Sequence, residues 1–547
     1  MRIEKTARRF MPGTALQWAS FFVPLFGMSM QLHAQDGFVD TNTAAFPVDG
    51  MIASGTLPDT ETLHIAVSLK LRNREQLDQF ISRIHTRGDT LFGKRLTSEQ
   101  FTALHAPSDD QVRAVTDFLT AAGFTNITVA RNHLLVSADG SAASVRSAFA
   151  TDLMQYRIDG RLAFANSSAA RVPRRLAGIV HAVLGLQNVE HARPMLVAAQ
   201  PDTIRSLTVK GHNPFEFQTI YNVGNSPSGA QTTIAIIASG DLTQTLTDLR
   251  TYESQNSLVS VPVSEVRTTA GGVYTDTSGL LEWNLDSQSA TAIASEVKEL
   301  IFYEAPSLSD VHLSEAYSRA VSDNTAKVIN VSLGECESAA HFSGAMATDD
   351  QIFAQAVSQG QTFVASSGDG GSRTGCFSHT GMFVQVSYPA SSPNVVAVGG
   401  TQLNTNTNGS YSSEAAWNKG GGGVSKHERI PSWQRAVLSG NKRGVPDVAF
   451  DADPNSGAII VYMGGSMQVG GTSLAAPLFT GVLARAQSAN NNTLGFAAPT
   501  IYSIASRSPA PFHDVTSGSN GSFRAASGWD RVTGFGSPNI AVFVNDN

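Results

Sequence analysis

The sequence predicts an α/β protein in two parts, a small ferredoxin-like α+β unit followed by a mostly parallel sheet with helices on both faces. Three observations predict it. At 547 residues the chain is too long for one ordinary domain, and the length suits roughly two to four, each able to bury a core. Periodicity lapses at about 196–214, the mark of a linker. Beyond it, short apolar strands alternate with helical segments, the texture of a parallel sheet covered on both sides.

Composition narrows the function. The chain is 41% hydrophobic and 15% charged, against about 25% charged in a typical soluble protein, which argues for packed cores and against disorder. A net charge of −7 offers no basic surface for nucleic acid. Cys336 and Cys376 are the only cysteines, too few for a disulfide scaffold or a cysteine-based zinc site, and no His-Glu-x-x-His occurs.

Residues 1–34 read as a secretory signal peptide. Arg2, Lys5, Arg8 and Arg9 precede an apolar run from Ala15 to about Leu32, and Ala34 is a small residue at a cleavage position. A membrane anchor is the alternative, disfavoured by Pro24 and the polar stretch that follows. Arg8-Arg9-Phe10 faintly resembles a twin-arginine signal.

The first unit occupies 50–195. Leu63, Ile65, Val67, Leu69 and Leu71 alternate as in a half-buried strand. Helices are expected at about 74–86, 98–105 and 109–122, the last opened by a Ser108/Gln111 capping box and stopped by Gly123. Paired strands over Ile127–Val136, a helix near 141–150 and a hairpin at Asp159-Gly160 complete it.

After the linker, 196–214, the second unit runs from 215 to 547. Its expected strands are Thr232–Ala238, Val328–Leu333, Thr362–Ala365, Val395–Val398 and Ile459–Met463. Helices are expected after Asp286 and near 350–359. In such sheets active sites sit at the carboxyl ends of strands. Charge divides at the same boundary: 215–547 holds 27 acidic and 16 basic residues, whereas 161–214 holds seven basic and two acidic. That split predicts an electrostatic docking of 161–214 on the acidic unit, loosened by acid or salt.

Chemistry concentrates in three places. Gly470-Gly471-Thr472-Ser473-Leu474-Ala475-Ala476-Pro477 puts Ser473 at a helix N-terminus, with Pro477 expected in the first turn, where a missing N–H costs nothing. Free amides and the positive dipole end there suit an oxyanion; alone, the motif is equally an N-cap serine. None of the 13 histidines stands in a His-Gly-Thr context to serve as its base. Glu282 and Asp286, at helical i,i+4 spacing, can share a proton and raise one pKa; alone they read as a solvated acidic face. Ser366-Ser367-Gly368-Asp369-Gly370-Gly371 follows a strand end, and a protonated Asp369 there would donate to an oxyanion, or else form an ordinary Asx turn.

Together these motifs resemble the sedolisins, the serine-carboxyl peptidases, whose fold is similar to subtilisin. Val328-Ile329-Asn330-Val331-Ser332-Leu333-Gly334, Tyr388-Pro389-Ala390-Ser391-Ser392-Pro393, Val398-Gly399-Gly400-Thr401 and Arg443-Gly444-Val445-Pro446-Asp447-Val448 resemble the family as well. Phe92-Gly93-Lys94-Arg95-Leu96-Thr97 and Ala106-Pro107-Ser108 look like its activation propeptide. The resemblance implies a subtilisin-like catalytic domain over 215–547, a propeptide over 50–195 and a processing site within 196–214. It implies Ser473 as nucleophile, Glu282 as base, Asp286 as its orienting partner and Asp369 as oxyanion donor.

It also implies one Ca²⁺ bound by Asp514, Asp530 and the carbonyls of Val515, Ala526 and Gly528, hard oxygen ligands for a hard cation. Ala526 stands where the family commonly has Gly, which bears only on local backbone geometry. The expectation is therefore an exported, acid-acting serine endopeptidase made as a proenzyme. It acts on proteins or peptides, is inhibited and helped to fold by its own propeptide, and is a monomer that binds neither nucleic acid nor, once the signal is removed, membrane. Its Cys336 and Cys376 are expected to pair in an oxidising compartment, and Trp417 with Gly420–Gly423 borders the cleft or forms a structural turn. A tripeptidyl exopeptidase, a silent binding protein and a neutral protease using Asp241 are the competing readings.

Overall fold

Alternation sends Leu63, Ile65, Val67 and Leu69 to one face of the strand Thr62–Leu69, where they pack with Val112, Val115, Leu119, Val145 and Phe149 of two helices. This strand is central in an antiparallel sheet ordered Thr125–Val129, Leu135–Ser141, Thr62–Leu69, Val180–Leu184. The helices Asp109–Ala121 and Ala142–Phe149 cross between its strands, giving the ferredoxin-like order. Ser108 and Gln111 form the expected capping box. The computed structural model describes residues 37–48, 50–158, 160–199, 210–373 and 384–545, so the expected signal peptide lies outside the described residues.

Two expectations for this sheet need correction. Leu71 falls beyond the strand, which ends at Leu69, and the strand is buried on both faces rather than one. Its second face is covered because Ala66, Leu135 and Leu184 join the core of the large domain.

That larger core surrounds an eight-stranded sheet in the order Val263–Arg267, Val297–Ala305, Gly229–Ser239, Val328–Val331, Thr362–Ser366, Val395–Thr405, Tyr411–Ala416, with Val448–Asp451 also paired to Val395–Thr405. All pairings are parallel except that of Tyr411–Ala416. Strand interiors such as Ile234–Ala238 are fully buried, as continuous apolar runs in a doubly covered sheet require. The fold is thus α/β and subtilisin-like. The strand expected at Ile459–Met463 is not in this sheet; Ala458–Tyr462 forms an antiparallel hairpin with Gly465–Gly470.

Two helices position the chemistry; the start of the first and the turn that holds Pro477 in the second depart from expectation. The first spans Leu280–Ala294 instead of beginning after Asp286. It is buried on nearly every face, polar residues included, so it carries no amphipathic stripe by which its start could be read. Asn284 and Gln288 anchor it by donating to the Val461 carbonyl, at 3.1 and 2.8 Å. The second helix spans Thr472–Ala489, which puts Pro477 in the second turn. The N–H that proline lacks would have bonded the carbonyl of Ser473 four residues back. Gly481 lets the two helices cross closely, since a Cβ there would lie 2.6 Å from the Ala290 carbonyl oxygen.

The two regions meet through neutral hydrogen bonds and charged contacts alike. Gln351 accepts from the Leu71 amide at 2.9 Å and donates to the Leu69 carbonyl. Asn132 bonds Gln355 and Ser318, and Arg95 donates to the Asn492 carbonyl at 2.7 Å. The ion pairs seen across the seam, His64–Glu315 and Arg131–Asp323, start outside 161–214. In that stretch Arg161 bonds the carbonyls of Asn188 and Val189, and Arg171 that of Ala150. From the same stretch Gln187 Nε2 donates to Asp310 Oδ2 of the acidic unit at 3.0 Å.

Candidate active site

The site is built where the strands Val328–Val331 and Thr362–Ser366 end, against the start of the helix Thr472–Ala489. Ser473 is the second residue of that helix, so its amide has no intrahelical acceptor. It donates instead to the carbonyl of Met195, at 2.9 Å. The Ser473 hydroxyl donates to the Ser332 carbonyl at 3.0 Å.

Glu282 and Asp286 lie one turn apart on the neighbouring helix, both fully buried rather than on a solvated face. Asp286 Oδ1 accepts from Ser332 Oγ at 2.5 Å, and Asn330 Nδ2 donates to that same hydroxyl at 2.9 Å. Neither Glu282 oxygen has a well-aligned hydrogen-bond partner among the described residues. Burial, then the charge of Asp286, pushes the Glu282 carboxyl well above its usual range, while the nearby Ser473 hydroxyl pulls the other way. Burial likewise raises Asp286, against its hydrogen bonds from Ser332 and Asn330. Two buried like charges cannot both be ionised cheaply, so the pair retains a proton.

Asp369 follows the strand Thr362–Ser366 on its glycine turn. Its Oδ1 accepts from the Thr472 amide and hydroxyl, both at 2.8 Å, which leaves Oδ2 without a partner among the described residues. Burial pushes this carboxyl up to about 7 against those two bonds and the charge of Lys419. Gly471 makes the approach possible. Its φ is 109°, and a Cβ would lie 2.3 Å from the Met195 carbonyl oxygen and 2.7 Å from Asp369 Oδ2.

Residues 193–199 thread this cleft, so the start of the expected linker is not loose. Arg193–Pro194 pairs antiparallel with Leu333–Gly334, and Val197–Ala198 with Val469–Gly470. The Met195 amide adds a bond to the Ser332 carbonyl at 3.2 Å. Gly334 clears space for the Met195 side chain, because a Cβ there would lie 2.6 Å from its Cε.

Ser473 and Asp369 therefore flank one peptide carbonyl, and Ser332 links Ser473 to Asp286, with Glu282 beside the Ser473 hydroxyl. Sequence reasoning missed Ser332, which joins Ser473 to Asp286, although its Asn330-Val331-Ser332 motif was visible. It also missed Thr472, which holds Asp369, and Met195, for which no motif existed. Gly420–Gly423 buttresses the Asp369 turn: the Gly421 amide donates to the Gly368 carbonyl at 2.6 Å. Asp241 is elsewhere, capping the amide of Thr243 at 2.8 Å.

Comparison with known proteins agrees with this layout. Residues 49–189 match the family model for the pro-kumamolisin activation domain, and residues 264–536 that of the subtilase family. Over 534 residues the chain is 46% identical to sedolisin from Pseudomonas sp. (strain 101), covering 92% of this chain and 91% of that one. The chain belongs to the sedolisin family. As a sedolisin-family member it is a serine-carboxyl peptidase that carries an activation propeptide. It is also 39% identical to xanthomonalisin from Xanthomonas sp. (strain T-22), across 99% of this chain and 74% of that relative. The solved Pseudomonas sedolisin, a serine-carboxyl proteinase complexed with pseudo-iodotyrostatin, superposes with a TM-score of 0.59 at 45% identity, over 62% of this chain and 98% of that one.

The residues expected to hold calcium also converge. Asp514 Oδ2 accepts from the Gly528 amide at 2.9 Å and from Ser527 Oγ at 3.2 Å. Asp530 Oδ2 accepts from the Ala526 amide at 2.8 Å, and its Oδ1 from the Val532 and Thr533 amides. Two carboxylates thus flank the turn 526–528, and the expected set of carboxylate and carbonyl oxygens is of the kind a hard cation takes. Ala526 is not among the residues with positive φ, so an alanine is accommodated there without strain. The Cys336–Cys376 pairing reaches outside the described residues, which omit 374–383.

Proposed function

We propose that this sedolisin-family peptidase is an exported, acid-acting endopeptidase whose first substrate is its own Met195–Leu196 bond. The observation that carries the reading is the Met195 carbonyl, held 2.9 Å from the Ser473 amide beside the open oxygen of Asp369. An acyl-transfer site needs donors placed where the oxyanion forms. A continuous chain on both sides of Ser473 also favours endopeptidase action over tripeptide removal.

In this mechanism Ser473 Oγ turns from Ser332 and attacks the carbonyl carbon, passing its proton to Glu282. Asp286, held by Ser332, orients Glu282. Protonated Asp369 and the Ser473 amide receive the oxyanion. Collapse expels the Leu196 amine, which takes the proton from Glu282. Water, deprotonated by Glu282, then releases the acyl group and Ser473 recovers its proton. The test is mass spectrometry of the full chain during acidification. An N-terminal fragment ending at Met195 should appear before any other product; first cleavage at a different bond would sink the assignment.

Asp514, Asp530 and the carbonyls of Val515, Ala526 and Gly528 would hold Ca²⁺, which would supply a cross-link between the segments 514–515 and 526–530 rather than chemistry. Stripping calcium with EGTA should lower the melting temperature by about 3–4 °C relative to a hundredfold excess over Kd. Asp514→Asn should remove that response; a melting temperature indifferent to calcium would count against the site. The same reading includes signal-directed export of residues 1–34 and a Cys336–Cys376 disulfide formed in the oxidising compartment.

A further inference from the structure

A second cluster of ligand-type side chains, separate from the catalytic groups, lies on the seam between propeptide and catalytic domain. His64 is on the face of its strand opposite Leu63 and Ile65, and so points at the catalytic domain. Its Nδ1 is 2.7 Å from Asp139 Oδ1 and its Nε2 is 3.0 Å from Glu315 Oε1. Glu315 and His312 are three residues apart on the helix Asp310–Asp323, hence on one helical face. The His312 and His64 rings stack with centroids 5.2 Å apart. His312 Nδ1 is held by Ser307 Oγ at 2.8 Å and Ser309 Oγ at 3.1 Å. Glu315 also accepts from Ser137 Oγ and Thr269 Oγ1.

We propose that His64, His312 and Glu315 bind one divalent transition-metal ion, Zn²⁺ by ligand chemistry, which clips the propeptide to the catalytic domain. One donor atom from each residue lies within 4.8 Å of the others. A tetrahedral zinc with ligands at about 2.0–2.2 Å needs donors roughly 3.4 Å apart, so small side-chain movements close the site and leave a fourth position for water. Two imidazoles and one carboxylate are a zinc donor set, softer than the all-oxygen set around Asp514. The second shell is already in place. Asp139 behind His64, and the two serines behind His312, fix each ring through Nδ1 and make Nε2 the metal-facing atom; that of His64 would exchange its bond to Glu315 for one to the shared ion. The His64 side chain is 24% exposed, which gives the ion a route in. Because His64 belongs to the propeptide and the other two ligands to the catalytic domain, an ion here favours the docked proenzyme by mass action.

The test uses the full-length chain carrying Ser473→Ala, which prevents self-cleavage, with calcium in excess so that the Asp514 site takes up no zinc. Calorimetric titration with ZnCl₂ near neutral pH should show one equivalent bound with Kd of about 10 µM or tighter, and at least about tenfold weaker binding in His64→Ala and in His312→Ala. Zinc should also raise the melting temperature of the parent and not of His312→Ala. Should His64→Ala fail to fold, Co²⁺ added to the parent supplies the readout, as a visible absorption band from a tetrahedral nitrogen-and-oxygen site. No uptake at about 100 µM zinc, uptake unaltered in the folded His312→Ala variant, or a colourless cobalt sample would each overturn the proposal.

Discussion

Ser473→Ala is expected to leave the proenzyme uncut at every pH and to lower peptide hydrolysis by about 10⁶-fold, the scale on which removal of a serine nucleophile acts. The substitution is structurally mild. The hydroxyl donates to the Ser332 carbonyl, and the amide that meets Met195 belongs to the backbone and is retained. An intact chain that melts like the parent would therefore isolate the chemical loss. Gel and mass analysis after acid treatment checks processing, and turnover of a denatured protein checks hydrolysis. Glu282→Gln should approach the same loss, because an amide cannot take the proton. Cleavage after Met195 persisting in Ser473→Ala at the parent rate would remove Ser473 from the mechanism.

Substitution of Asp369 is expected to have the second largest effect and a different signature. Asp369→Ala deletes one oxyanion donor, a change that costs about 10²–10³ in kcat. Asp369→Asn keeps an N–H in that place and should recover part of the loss. The sign of the pH dependence follows from burial. A carboxyl raised to about 7 in the docked proenzyme is protonated, and can donate, below that pH. As pH rises through it, the ionised group repels the oxyanion and activity falls. Release of the propeptide admits water and lowers the value, so the alkaline limb of the mature enzyme should lie below 7. In Asp369→Asn that limb should flatten, since the amide does not titrate in this range. A limb of unchanged position and depth in Asp369→Asn would assign it to the Glu282–Asp286 pair instead.

The threaded segment joins the two predictions. Met195 reaches the site because Arg193–Pro194 and Val197–Ala198 complete edges on either side of it, the mode in which an extended peptide adds to a sheet edge. The propeptide thus presents a substrate backbone while its sheet is held some distance away through Gln351 and Gln355.

The sequence by itself determined the local elements and which of them carry the expected catalytic side chains. Alternation from Leu63 to Leu69, the Ser108/Gln111 box and the apolar runs of the parallel strands are short-range signals, and each produced its element. Ser473 and Asp369 were legible because a glycine turn must precede a helix start or follow a strand end at those places. Tertiary structure decided what no local pattern encodes. The helix Leu280–Ala294 is buried on all sides by other elements, so its true start left no periodic trace. Pro477 is tolerated in a second turn because its neighbours, not its own helix, set the surroundings of the Ser473 carbonyl. Met195 and Ser332 acquire roles only when distant segments meet, as do His64 and Glu315, which are separated by 251 residues. Such contacts arise from how the two sheets pack, and packing depends on every element at once rather than on the few residues around each position.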